Sequence, residues 1–297
     1  MFPPSSRSSA PISHALVGAV LAALAITPFT LAADCQDLWI VSSRHLPETC
    51  GEPEDPSFRV QCLEQHRGKD ASLEELASTT TGPVTFFIHG NRYDPSSARS
   101  QGLELARRLS RCGASGRLIV YSWPSDRDGM PLADAKSKYR RTRSEGLYFA
   151  AVLRRIGPTT TVGIVGYSYG ATIALHGLQQ LAPSGRAGHT GLVMVTPAVA
   201  AGAVHPLGCL RDALGAVDQL TILVNSRDEA LRFFPFVDPC HQAALGFTGL
   251  PSRDAPAGIA FRQLDVAQIV GKKHSMEPFL DSHQLSCIIA EGVLGPR

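Results

Sequence analysis

Along most of this chain, short unbroken apolar runs alternate with segments whose apolar residues return every three or four positions. The runs at 84–88, 117–121, 159–165, 192–195 and 219–224 are the length of a strand and rich in β-branched residues, as strands buried on both faces are. Between them, 96–112 has helical spacing through Leu103, Leu105, Ala106 and Leu109. A polar loop at 125–131 precedes a long helix to about 155, and 171–178 is helical again. Near the start, 38–44 and 58–62 read as two strands joined by a loop rich in Pro and acid, with a helical turn or two at 72–76. A last strand near 259–264 leads to a C-terminal helix near 276–291. This alternation predicts an α/β protein with a mostly parallel central sheet covered by helices on both faces. Neither a repeat nor a long internal linker divides it, so one domain is expected over 34–297, with a Cys-containing N-terminal extension at about 34–80.

The first 33 residues do not fit that core. They hold no Asp or Glu and one basic residue, Arg7, ahead of a largely apolar run from Ala15 to Leu31 that ends in Ala32-Ala33. This is the make-up of a cleaved signal peptide, with an uncleaved anchor as the alternative. After cleavage no membrane span is expected, and the location is secreted or periplasmic. Seven cysteines, all beyond residue 33, agree with export. Their odd number leaves one free or paired between chains. Cys35, Cys50 and Cys62 are placed to staple the N-terminal region, and Cys209 with Cys240 is a second plausible pair, although spacing does not fix connectivity. No Cys-x-x-Cys occurs, which removes the simple zinc and redox motifs. A net charge of +2 calls for no acidic partner, and no nucleic acid is expected.

The chemistry centres on Val165-Gly166-Tyr167-Ser168-Tyr169-Gly170-Ala171. Here Gly-x-Ser-x-Gly falls between a predicted strand and a predicted helix, the context of a serine on a tight, strained turn. Gly166 and Gly170 are expected because a Cβ at either place collides with the neighbouring strand or helix. A serine hydroxyl is a poor nucleophile at neutral pH. It needs a base within hydrogen-bond reach and an acid that orients the base. Reactive groups in such sheets gather beyond the carboxyl ends of the strands. His274, in the loop after the last predicted strand, meets that condition; His283 and His241 are the alternates. For the acid, Asp228 follows the strand 219–224, a position that also suits the N-cap of a following helix. Asp238, Glu229 and Asp254 remain open.

An oxyanion needs two preorganised donors. The elbow supplies the N–H of Tyr169. The loop after strand 84–88, His89-Gly90-Asn91, supplies the second, with the N–H of Asn91 the expected donor and Gly90 allowing an unusual backbone. The order Ser168, Asp228, His274 and the His-Gly loop resemble the α/β-hydrolase fold superfamily, in its serine esterase and lipase-like members, from Val84 onward. The resemblance implies an exported serine hydrolase acting on a small-molecule or lipid ester through an acyl-enzyme, with no metal or organic cofactor. An acyltransferase on the same site and a catalytically inactive binding protein are the alternatives.

Three further features carry less. Lys136, Lys138, Arg140, Arg141 and Arg143 read as a solvated helix face. Trp123 either lines an acyl pocket or packs beneath the polar loop. Phe233, Phe234 and Phe236 read as core, with a pocket wall as the lesser reading.

Overall fold

The strands and helices follow the apolar pattern closely. The computed structural model describes residues 38–64, 67–183 and 185–294. The expected signal peptide lies outside these residues, as does Cys35. In chain order the first elements are β1 (Leu38–Ser42), β2 (Arg59–Glu64), β3 (Arg67–Ala71), α1 (Leu73–Ser78), β4 (Val84–Ile88) and α2 (Pro95–Arg111). Next come β5 (Arg117–Ser122), α3 (Pro131–Ile156), β6 (Val162–Tyr167), α4 (Tyr169–Leu181), β7 (Thr190–Val195) and β8 (Gln219–Val224). The last are α5 (Leu245–Thr248), β9 (Ala260–Asp265), α6 (Ala267–Val270), α7 (Glu277–Asp281) and α8 (His283–Leu294).

The described strands form one sheet in the order β3-β2-β1-β5-β4-β6-β7-β8-β9. Only the pairs β1–β2 and β2–β3 are antiparallel. From β4 the chain crosses to β5 on one side, then returns through α3 to β6 on the other. That reversal opens a crevice beyond the carboxyl ends of β4 and β6, where ligands bind in open α/β sheets. Helices α3 and α4 pack together over one face, and α2 and α8 over the other. Strands β4, β6 and β7 are buried along their whole length, which is why they read as unbroken apolar runs. None of the helices among the described residues is long and apolar enough to cross a membrane.

Two elements differ from the sequence reading. β3 carries the sequence RGKDA and is exposed at the sheet's edge, so no apolar alternation announces it. Its charges suit an edge strand, where they oppose pairing with another chain. The expected C-terminal helix is two helices. Ser282 is extended between them, and its hydroxyl accepts the N–H of Leu285 at the start of α8.

The cysteines also differ. Cys112, capping α2, is joined to Cys287 in α8 across 175 residues of sequence. Cys209 and Cys240 are exposed free thiols, so the pairing expected for them is not formed. The bond follows from α2 and α8 packing side by side on one face, a neighbourhood that sequence spacing does not encode.

Candidate active site

Ser168 sits where β6 turns into α4, with φ 53° and ψ −119°. A non-glycine residue held there costs about 1–3 kcal/mol, sustained by the surrounding structure. The flanking glycines make the turn possible. A Cβ on Gly170 would lie 1.9 Å from the carbonyl oxygen of Ile88, and one on Gly166 would lie 2.6 Å from the Cα of Ala171.

The imidazole of His274 reaches this serine. Its Nε2 is 2.8 Å from Ser168 Oγ, and its Nδ1 is 2.6 Å from Asp228 Oδ2. An ionised carboxylate only accepts, so Nδ1 carries the hydrogen and Nε2 is left to accept from the serine hydroxyl. Asp228 is fully buried, and its other oxygen accepts the N–H groups of Ala230 and Leu231 at 3.0 and 2.9 Å. One Asp228 oxygen thus caps the following turn and the other bonds the His274 ring.

The loop after β4 lies against the elbow. A Cβ on Gly90 would come within 2.9 Å of the Tyr167 ring and 3.1 Å of Ser168 Cβ. Gly90 is therefore required by closeness. The positive φ in this loop belongs not to Gly90, expected to allow an unusual backbone, but to Arg92, at 64°. The N–H of Arg92 is bound to the carbonyl of Ser125 at 2.7 Å, whereas the N–H of Asn91 meets no acceptor among the described residues. Tyr169 opens α4, where the first N–H groups lack an intrahelical carbonyl. Among the described residues neither the N–H of Asn91 nor that of Tyr169 is bonded to an acceptor.

His89 is fully buried, stacked between Tyr93 and Trp123. Burial, reinforced by the Arg44 charge, lowers its pKa to about 3, so it stays neutral. Nε2 accepts the N–H of Trp123 at 3.3 Å, and the Trp123 indole donates to the His89 carbonyl at 2.8 Å. Trp123 is accordingly fully buried against His89 and is not among the residues lining the cleft that holds Ser168.

A family model described as "Alpha/beta hydrolase of unknown function (DUF900)" matches residues 66–239. The chain belongs to this family. The matched stretch of this DUF900 protein holds Asn91, Ser168 and Asp228 and ends before His274. No curated protein matches it. Among solved structures, esterase Est22 is 15% identical, with 82% of this chain and 79% of that one covered at a TM-score of 0.39. Carboxyl esterase 2 of the mycorrhizal fungus Tuber melanosporum is 11% identical, with 86% and 91% covered at 0.40. A bacterial heroin esterase is 14% identical, with 84% and 83% covered at 0.37.

In this α/β hydrolase the other histidines and acids weighed for the site have different partners. His241 contacts the carbonyl of Pro235, and His283 stands beside the Cys112–Cys287 bond. Glu229 pairs with Lys272, Asp254 with His205, and Asp238 accepts from Tyr139 and two backbone N–H groups. The basic run on α3 is not uniformly solvated. Arg141 is mostly buried, bonded to Glu145 at 2.9 Å and to the carbonyl of Leu46.

Sequence reasoning missed three supports. Asp134, buried in the first turn of α3, accepts from Asn91 Nδ2 at 3.2 Å and from the N–H of Asp128, and faces Arg92 Nε at 3.6 Å. Asn225, ending β8, donates to the carbonyl of Gly271 at 3.0 Å and so ties down the loop that carries His274. Tyr167 stacks on the His274 ring. An acid in the first turn of a helix was the available signal for Asp134, but such acids ordinarily serve the helix dipole.

Proposed function

We propose that this DUF900 protein is a serine hydrolase that cleaves an ester through a Ser168–His274–Asp228 triad. The observation that carries the proposal is the continuous hydrogen-bond chain from Asp228 through His274 to a serine on a strained turn.

As Ser168 Oγ attacks the carbonyl carbon, its proton passes to His274 Nε2. The carbonyl electron pair moves onto oxygen, which the N–H groups of Asn91 and Tyr169 receive. Asp228 keeps the ring oriented and stabilises the imidazolium. Collapse breaks the bond to the alkoxide, which leaves with the proton from His274. Water then repeats the sequence on the acyl-serine and releases the acid. We further propose export: the composition of residues 1–33 and the Cys112–Cys287 disulfide both support an oxidising compartment.

Turnover of p-nitrophenyl esters by the purified protein tests the reading. Wild type is expected to turn over and Ser168→Ala to fall to background; equal rates in the two proteins would refute it.

A further inference from the structure

A cleft of about 1400 Å³ contains Ser168 and His274 and is much larger than a short acyl group needs. Its two walls differ in chemistry. On the α3 side, aromatic rings run outward from the elbow, from Tyr169 to Tyr139 at 5.7 Å and from Tyr139 to Phe234 at 5.3 Å. Beyond them Phe233 and Phe236 line the cleft while 61% and 59% exposed, and Leu132 from α3 lines it while 49% exposed. Large apolar side chains left this open at the mouth of one cleft mark a surface that an apolar ligand covers. They also correct the reading of Phe233 and Phe236 as core.

The α2 side is polar. Ser96, Ser97 and Ser100 line the cleft from the first turns of the helix, and the buried Gln101 beside them is bonded to Tyr93 and Glu277. Glu104 on the same wall is paired with Arg108 at 2.6 Å and Arg107 at 3.5 Å, so no single sign of charge dominates there. The two walls meet at the triad. His274, which returns the proton to the departing oxygen, stacks on Tyr167, and Tyr167 touches Tyr93 on the polar side. The alcohol leaves next to His274, whose ring reaches the polar wall through Tyr167 and Tyr93; on that contact the alcohol belongs to the polar wall and the acyl chain to the aromatic one.

Resting on the triad reading above, we infer that the substrate is an ester between a medium or long apolar acyl chain and a neutral, hydroxyl-bearing alcohol. The acyl chain lies along Phe233, Phe236 and Leu132, and the alcohol's hydroxyls bond to Ser96, Ser97 and Ser100 of α2.

Two series of probes test this in the full-length mature protein. With p-nitrophenyl acetate, butyrate, octanoate and decanoate, kcat/KM is expected to rise at least tenfold from acetate to octanoate. That ratio should fall roughly tenfold in the Phe233→Ala/Phe236→Ala variant, and independently in Leu132→Ser, each methylene removed from apolar contact contributing its share. Monooctanoylglycerol should exceed methyl octanoate in kcat/KM, an advantage reduced in Ser97→Ala/Ser100→Ala. A Ser168-dependent esterase whose chain-length ratio is flat, or unmoved in both rim variants, overturns the acyl assignment and leaves the triad standing. Equal rates on the glyceryl and methyl esters overturn the alcohol assignment. Absence of turnover across the whole series overturns the substrate class and the triad reading together.

Discussion

Asp228 divides its carboxylate between His274 and its own backbone: Oδ2 holds Nδ1 of the ring at 2.6 Å, and Oδ1 accepts the N–H groups of Ala230 and Leu231. One residue therefore fixes the base and the start of the turn Leu231–Phe236 that brings Phe233 and Phe236 to the cleft. Asp228→Asn can keep the backbone bonds through its amide oxygen but offers the ring a donor where an acceptor is needed. We expect kcat to fall by roughly 10³–10⁴-fold with little change in thermal unfolding. Asp228→Ala should lose comparable activity and, in addition, about 1 kcal/mol or more of stability with the cap. Steady-state kinetics and unfolding curves of the two variants separate the roles.

Asp134 touches no reacting atom in the proposed mechanism, yet it grips the side chain of Asn91, whose N–H is the proposed second oxyanion donor. Asp134→Ala should lower kcat by about 10–100-fold while KM stays near wild type, because the donor acts on charge that develops only in the transition state. Asp134→Asn, which still offers an acceptor, should recover much of the loss. A fall in KM and kcat together in both variants would point to a general structural role.

Gly90→Ala places a Cβ within 2.9 Å of the Tyr167 ring and 3.1 Å of the nucleophile's own Cβ. Because Tyr167 in turn stacks on His274, the disturbance passes straight to the base. Activity is expected to drop by at least tenfold, and its measurement alongside circular dichroism distinguishes a displaced triad from an unfolded protein.

Buried His89 ties stability to pH. Its folded pKa of about 3 lies below the ordinary value of 6.5, so the unfolded chain binds the proton first as pH falls. The stability this group contributes is complete above pH 6.5 and is lost progressively between 6.5 and about 3. From pH 7 to 5 the loss from His89 is about 2 kcal/mol. His176, lowered to about 4 by burial, acts in the same direction. Urea unfolding at the two pH values should show the drop in wild type, and a shallower one in His89→Gln.

The fold was legible where burial makes the pattern simple. β4, β6, β7 and β8 are apolar because helices cover both faces, and the Gly-x-Ser-x-Gly turn stands at the boundary between two opposite periodicities. Among ten histidines the strand-end rule favoured His274 over His283 and His241, and the structure sets the His274 ring beside Ser168. What stayed hidden depends on neighbours distant in sequence. Cys112 and Cys287 meet only because α2 and α8 share a face. Phe233 and Phe236 look like core in the sequence, and only their place on a short turn at the cleft mouth exposes them. Asp134 shows its purpose only beside Asn91.

Covalent capture of the nucleophile tests the central claim most directly. The folded protein is treated with a fluorophosphonate and its peptides are mapped by mass spectrometry. A single stoichiometric adduct on Ser168 is expected, forming far more slowly in His274→Ala and absent in Ser168→Ala. No adduct in the folded wild type, or one on a different residue, would contradict the claim.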